Sequence, residues 1–152
     1  GRVQDEIAAV VAACGGAALK VILEVSELET YDNIRAASFL AMRVIRPGDF
    51  IKTSTGKETS NATLPVGLVM TRMIRDYGSR TGFEVGFKPA GGIRTAKQAL
   101  DWLILMKEEL GDRWLRPHLF RFGASGLLTD VERQLEHFVT GRYAAAHRQP
   151  MV

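Results

Sequence analysis

The chain has 152 residues, of which 46% are hydrophobic and 24% are charged, and its formal net charge is +3. This length fits one hydrophobic core and not two ordinary domains, and the composition argues against a disordered chain. The lysines and arginines are scattered and form no basic run, so we expect no nucleic-acid partner. The mild positive charge by itself suits a small phosphorylated substrate as well as a nucleic-acid surface.

Cys14 is the single cysteine, which excludes an internal disulfide and favours a reducing, cytoplasmic compartment. It falls on the apolar side of a predicted helix, where we expect a small buried side chain and not a nucleophile. We also expect neither a signal peptide nor a membrane-spanning segment, because no stretch is long and apolar enough.

Helical and strand-like patterns alternate along the chain. The spacing of Val3, Ile7, Val10, Val11 and Cys14 predicts an opening helix. Four β-rich runs follow at 19–24, 49–53, 84–88 and 119–123, with starts 30, 35 and 35 residues apart. Turn residues and then a helical pattern come after each run, which predicts the order α(βα)₄.

The helix after the second run has the clearest pattern. Its apolar face is formed by Val66, Val69, Met70, Met73, Ile74 and Tyr77. Thr63 is its predicted cap, Pro65 lies in its first turn, and Gly78 is its predicted end. Thr95 and Gln98 predict a capping box for the next helix, whose apolar face comprises Ala99, Leu103, Met106 and Leu110. The last helix carries Leu128, Val131, Leu135 and Phe138.

This alternation is typical of an α/β protein with a parallel sheet covered by helices, either a doubly wound sheet or a (β/α)₈ barrel. A repeat of 30 to 35 residues agrees with about 250 residues for eight barrel units. Four units alone leave two unpaired sheet edges. We therefore predict a piece of a TIM-type barrel, with a stand-alone flavodoxin-like sheet as the alternative.

Two lysines stand where predicted neighbouring strands end. Lys52 begins KTSTGK and Lys88 begins KPAGG. Strand carboxyl ends carry the active sites of both candidate architectures. Desolvation and a nearby cation each lower the pKa of a lysine, so we expect Lys88 to keep the amine of Lys52 uncharged and ready to form a Schiff base. The alternative is a pair of structural lysines that reach solvent or bind carboxylates.

Glycines at the same strand ends indicate an anion site. Gly91 and Gly92 precede the helix capped by Thr95, and the segment 123–126 precedes the last helix. Free backbone N–H groups at helix starts bind phosphate, although such glycines also serve as ordinary turn formers. His118, His137 and His147 lack the spacing of metal ligands, so we expect no metal.

The motifs FIKTSTGK (50–57), GFKPAGGIRT (86–95) and FRFGAS (120–125), in this order, resemble the deoxyribose-phosphate aldolases, which are class I aldolases of the TIM-barrel type. KETSNAT (57–63), KEELGDRWL (107–115) and HFVTGRYAAAH (137–147) are similar to the animal-type branch. The resemblance implies reversible cleavage of 2-deoxy-D-ribose 5-phosphate to D-glyceraldehyde 3-phosphate and acetaldehyde in deoxyribonucleotide catabolism. It implies neither a metal nor a cofactor.

The resemblance also implies roles for individual residues. Lys52 matches the Schiff-base lysine, and Lys88 matches the second active-site lysine, which perturbs the first and assists proton transfer. The positions that hold the substrate phosphate match Thr55, Lys57, Gly91, Gly92 and Ser125. Gly126 departs from the family pattern, in which many members have a second serine.

Family members are longer than this chain. The resemblance implies that residues 1–152 are the C-terminal half of a single barrel domain, and that the other half carries a proton-relay aspartate. Gly1 in place of an initiator methionine favours processing or truncation. We expect a homo-oligomer or pairing with the N-terminal half. The alternatives are a non-catalytic half-barrel that binds phosphate ligands and a class I lyase for another phosphosugar.

Overall fold

The computed structural model describes residues 1–58 and 61–145. Its elements in chain order are α1 (Arg2–Ala13), β1 (Lys20–Ile22), α2 (Tyr31–Met42), β2 (Phe50–Lys52), α3 (Leu64–Thr81), β3 (Gly86–Lys88), α4 (Ala96–Leu110), a 3₁₀ turn (Asp112–Trp114) and α5 (Leu127–Thr140). None of the helices in this part of the chain is long and apolar enough to cross a bilayer. His147 and positions 59–60 of KETSNAT lie outside the described residues.

The three strands form a parallel sheet in the order β1-β2-β3. The fourth predicted run continues this sheet beyond β3, through parallel bridges from Phe87 to Phe120 and from Ala90 to Gly123. It forms isolated bridges and not a continuous strand. The α/β alternation and the parallel sheet are as predicted.

The hydrophobic core lies between one face of the sheet and the helices. Ile51 and Phe87, paired in register, are fully buried at 0% exposure. They pack against buried side chains of α2, α3 and α4, among them Met42, Met70, Ile74, Trp102 and Met106. Each large apolar side chain buried in this way stabilises the fold by about 1.5–3 kcal/mol. Because side chains alternate along a strand, Phe50, Lys52 and Lys88 lie on the opposite face.

The predicted helix starts are confirmed, but one predicted end is wrong. Thr63 accepts the N–H of Val66, and Thr95 forms a capping box with Gln98. Helix α3 does not stop at Gly78 but continues to Thr81 and ends at Gly82. Gly82 has φ 74°, in the left-handed region that favours glycine, and its N–H donates to the Gly78 carbonyl at 2.8 Å.

The first and last helices are confirmed, but their apolar faces are incompletely covered. Val3 and Val10 of α1 are exposed, and Cys14 is half-buried at the end of α1 and not buried as predicted. In α5, Leu135 is 60% exposed and Phe138 is 87% exposed. Within the described residues, the main helix neighbour of α1 is α2 and that of α5 is α4, so each of these two helices is covered mainly from one side.

Candidate active site

Lys52 and Lys88 lie side by side at the carboxyl ends of β2 and β3. They are partners in the parallel register, each one residue after a core side chain, Ile51 or Phe87. Register partners on adjacent strands point to the same face, and neighbouring strands are separated by about 5 Å. The structure therefore brings both amines together on the face of the sheet away from the helices.

This face, which we call the lysine face, also carries Lys20 on β1 and Arg121 on the fourth run, with Phe50 between them. The Lys20 ammonium lies 5.7 Å and the Arg121 guanidinium 5.2 Å from the centre of the Phe50 ring. The ring fits there because Gly86 has no side chain; a Cβ on Gly86 would lie 2.6 Å from Phe50. The aromatic surface offers weak cation–π stabilisation to charges that repel one another.

Burial lowers the pKa of Lys88 below its ordinary value of 10.5, and the positive charges of Lys52, Lys20 and Arg121 lower it further. Among the residues that the structure describes, neither Lys52 nor Lys88 forms an ion pair with a carboxylate. This argues against the alternative of structural lysines paired with Asp or Glu. That the amine of Lys52 is itself kept uncharged stays a prediction.

A pocket of about 290 Å³ opens beside Lys52 at the ends of the strands. We call it the glycine pocket; it is lined by Lys52, Thr55, Gly56, Lys57, Ala90, Gly91, Gly92, Ile93, Arg94, Gly123, Ala124 and Ser125. These include all five residues that the resemblance matches to phosphate binding. Lys88 is not in the lining, but its Cε is 3.3 Å from the position that a Cβ on Gly123 would occupy. It therefore lies directly next to the pocket.

Two buried hydroxyls join the strand ends that form the pocket. Thr53 Oγ1 accepts the N–H of Ala90 at 2.9 Å, and Ser54 Oγ donates to the Ala90 carbonyl at 2.5 Å. The next residues, Gly91 and Gly92, have φ values of 90° and 82°, in the region that favours glycine. A Cβ on Gly91 would lie 2.4 Å from the Asn61 side chain, so glycine is required there by contact as well.

The charge of the pocket favours an anion. Lys52, Lys57 and Arg94 all line it, and Ser125 adds a hydroxyl. Arg94 was not among the predicted site residues, although its place two residues after Gly92 was a usable signal. A Cβ at Gly126 would meet nothing within 4 Å, so the glycine found there is not required by packing. In residues 1–58 and 61–145, no three His, Cys, Asp or Glu side chains are grouped as a metal site.

The sequence matches the family model of DeoC/LacD family aldolases over residues 1–129. It is 61% identical to the deoxyribose-phosphate aldolase of Mus musculus over 147 residues, which are 97% of this chain and 46% of the mouse protein. The deoxyribose-phosphate aldolase of Bos taurus is 60% identical over the same shares. The chain thus spans about half the length of the curated relatives it matches.

Solved structures of candidate deoxyribose-phosphate aldolases are also similar to this chain. The crystal structure of a candidate deoxyribose-phosphate aldolase from Toxoplasma gondii ME49 superposes with a TM-score of 0.77 at 23% identity, over 96% of this chain and 55% of that one. At this identity the likeness shows the fold alone. The structure of a candidate deoxyribose-phosphate aldolase from Coccidioides immitis superposes with a TM-score of 0.68 at 30% identity, over 88% of this chain and 45% of that one. From the family match and the curated relatives, we conclude that this chain belongs to the DeoC/LacD aldolase family.

Proposed function

We propose that this chain carries the Schiff-base site of a class I aldolase that reversibly cleaves 2-deoxy-D-ribose 5-phosphate to D-glyceraldehyde 3-phosphate and acetaldehyde. The observation that carries the proposal is the register pairing of Lys52 with Lys88 beside a basic, glycine-walled pocket. The names of the mouse and cattle relatives support this substrate. Cleavage would take place in the cytoplasm, in the breakdown of deoxyribonucleotides.

The whole architecture would be a (β/α)₈ barrel, with residues 1–152 as the C-terminal half of one domain. The lysine face supports this, because within the described residues the core helices pack on the other face of the sheet, and Lys20, Lys52 and Lys88 are only partly covered. Closure of a barrel would enclose this face and pair the edges at β1 and at 119–123. The chain spans 46% of the mouse relative, which agrees with half of such a domain.

Lys52 is the proposed nucleophile. Its neutral amine adds to the aldehyde carbon C1 of the open-chain sugar, and loss of water gives a protonated imine. A base removes the proton of the C3 hydroxyl, the C2–C3 bond breaks, and its electron pair moves towards the imine, which releases D-glyceraldehyde 3-phosphate. The remaining enamine is protonated at C2, and water hydrolyses the imine to acetaldehyde and free Lys52.

Lys88 is the proposed proton-transfer partner. Its lowered pKa gives it a larger neutral fraction near neutral pH than an ordinary lysine has, so it is better suited to exchange protons. Proton exchange at the Lys52 adduct depends on the two side chains sharing one face of the sheet.

The glycine pocket would hold the phosphate of the sugar. Lys57 and Arg94 supply positive charge, and Thr55 and Ser125 supply hydroxyl donors. The backbone at Gly91 and Gly92 lets the chain approach the ligand closely without side-chain interference. Lys52 lines the same pocket, so a bound phosphosugar would have its carbon chain directed towards the nucleophile.

The second candidate is a half-barrel that binds phosphate ligands without turnover. One observation favours it: within the described residues, neither lysine has a carboxylate partner that could complete a proton relay. In the aldolase proposal, this acid comes from the half of the barrel that the chain does not cover.

The proposal is tested with a chimera in which this chain replaces the corresponding 46% of the mouse relative. We expect proton NMR to show acetaldehyde forming from 2-deoxy-D-ribose 5-phosphate. Lys52→Ala should abolish product, and Lys88→Ala should slow it by about 10²–10⁴-fold, the range for a lost proton-transfer group. Lys97→Ala, at an exposed lysine of α4, is the matched control and should keep activity. A folded chimera that binds the sugar without cleaving it would favour the second candidate.

A further inference from the structure

Glu24 lies two residues after the end of β1, beside the end of β2. Its two neighbours hold it there, because Leu23 N–H donates to the Lys52 carbonyl and Val25 N–H donates to the Thr53 carbonyl, each at 3.0 Å. The half-buried Glu24 side chain therefore stands at the same edge of the sheet as the glycine pocket. Neither the sequence motifs nor the proposed mechanism gives it a role.

The backbone of Glu24 adopts an unfavourable conformation. Its φ is 49°, in the left-handed region where glycine is favoured over residues with a Cβ. Its carbonyl accepts the Glu27 N–H at 3.0 Å, which closes the turn after β1. A glycine would form this turn at lower cost, so a glutamate at this position points to a use for its side chain.

The carboxylate of Glu24 contacts the loop that follows β2. Its Oε2 accepts the backbone N–H of Thr55 at 3.0 Å, across 31 residues of sequence. Thr55 Oγ1 in turn accepts the N–H of Lys57 at 3.3 Å. Thr55 and Lys57 both line the glycine pocket, so a continuous set of hydrogen bonds runs from Glu24 to the wall of the pocket.

The second oxygen of this carboxylate is buried and has no hydrogen-bond partner within residues 1–58 and 61–145. A buried carboxylate oxygen without a donor is unfavourable. A carboxylate close to an anion pocket also repels the anion. If the pocket binds phosphate, the orienting effect of the Glu24 carboxylate on Thr55 must outweigh both of these costs.

We propose that Glu24 is a positioning residue for the phosphate pocket: by fixing the Thr55 backbone, its carboxylate orients Thr55 and Lys57 towards the bound phosphate. This inference rests on the proposed function, in which the glycine pocket holds the phosphate of the sugar. It adds a residue from the segment that follows β1 to a site whose other parts come from the three later strand ends. Glu24 acts through Thr55 and does not itself contact the phosphate.

The test is a titration of this chain with inorganic phosphate, followed by the NMR shifts of the Thr55, Gly91 and Gly92 amides. Glu24→Ala should weaken binding about tenfold, the scale of one hydrogen bond to a charged group. Glu24→Gln should bind within about threefold of the original chain, because its amide oxygen still accepts the Thr55 N–H. Glu27→Ala removes the same charge from an exposed position three residues away and should leave binding unchanged.

Glu24→Gly separates positioning from stability. Glycine relieves the left-handed backbone at position 24, so the midpoint of thermal unfolding should be higher than in Glu24→Ala. Phosphate binding should nevertheless stay as weak as in Glu24→Ala. If affinity returned together with stability, Glu24 would be a structural residue and the inference would be wrong.

Three other results would also overturn it. Tighter phosphate binding in both Glu24→Ala and Glu24→Gln would mean that the carboxylate acts only by repulsion. No saturable binding by the unsubstituted chain would contradict the anion pocket, and with it both this inference and the phosphate part of the proposed function. Binding that is unaffected by Glu24→Ala would remove the inference alone and leave the proposed function intact.

Discussion

The ammonium of Lys88 is less stable than that of an exposed lysine, because burial removes water from it and three cations surround it. The order of these causes matters: burial contributes most, and Lys52 contributes more than Lys20 or Arg121. The sequence alone indicated that the strand-end lysines are candidate reactive groups. It did not indicate why the pKa of Lys88 is lowered, because the cause depends on side chains that come from four different segments.

This lowered pKa predicts how stability depends on pH. Between the folded pKa of Lys88 and 10.5, the unfolded chain binds more protons than the folded one, so stability rises with pH across that interval. Lys88→Met removes the buried charge. It should therefore unfold at higher urea concentration than the original chain near pH 7, and this advantage should shrink as the pH approaches 10.5.

Urea unfolding at a series of pH values measures this difference. Lys88→Leu is a second variant that should behave in the same way, because the effect belongs to the lost ammonium and not to the methionine shape. A stability difference that stays constant with pH would contradict the burial of a charged amine at this position.

Other residues of the site were not found from the sequence, for a physical reason. Glu24 reaches Thr55 across 31 residues, and Thr53 reaches Ala90 across 37. Such contacts depend on which strands become neighbours and in which register, and a local pattern does not contain this information. The sequence could reveal Lys52, Lys88 and the glycines, because each of them stands at or next to the end of its own strand.

At the scale of elements, helix α3 shows what a local pattern can and cannot specify. Its apolar face and its start at Thr63 were predicted correctly. Its three glycines, at 67, 78 and 82, look alike in sequence, and only Gly82 adopts the left-handed conformation that ends the helix. Gly67 has another function: a Cβ there would lie 2.3 Å from the Trp102 ring of α4.

Gly67→Ala should therefore destabilise the protein even though alanine favours helices. The helix gains about 1 kcal/mol from alanine, while forcing a methyl group into a packed interface costs about 1–3 kcal/mol. We expect a net loss of up to about 2 kcal/mol in the free energy of unfolding, measured by urea denaturation.

Trp102→Phe supplies the matched background, because phenylalanine lacks the ring atoms closest to the new methyl group. In that background Gly67→Ala should cost less, and the coupling between the two positions is obtained from a double-mutant cycle. An equal cost in both backgrounds would contradict the close α3–α4 contact.

The four β-rich runs also belong to this scale. Their spacing predicted the α/β alternation correctly, and three became ladder strands. The fourth pairs with β3 through two bridges only, at Phe120 and Gly123. Its composition resembles that of the others, so its weaker pairing could not be predicted from the local pattern.

For the molecule as a whole, the uncovered surfaces are the main feature. The sheet has open edges at β1 and at 119–123, and α5 presents Leu128, Leu135 and Phe138 to solvent. Apolar surface of this kind is normally covered by a neighbouring element or another chain. The repeat spacing predicts part of a barrel, and in the proposed barrel the other half would cover these surfaces.

We expect the isolated chain to associate with itself through these exposed apolar side chains. Sedimentation velocity should show species above the monomer mass that increase with concentration. The double substitution Leu135→Asp and Phe138→Asp should shift the chain towards monomer, because each removes a side chain whose burial is worth about 1.5–3 kcal/mol. Gln134→Asp adds a similar charge at an exposed polar position of α5 and should leave the distribution unchanged. A strictly monomeric chain at all concentrations would contradict this account.

The most direct test of the central claim uses acetaldehyde and borohydride on the folded chain, followed by digestion and mass spectrometry. Reduction traps a Schiff base as an ethyl group, and the account predicts this group on Lys52. The yield should fall sharply in Lys88→Met, because the proposed proton-transfer partner of Lys52 is then lost. An ethyl group found mainly on Lys88, or spread evenly over the exposed lysines, would contradict the assignment of Lys52 as the nucleophile.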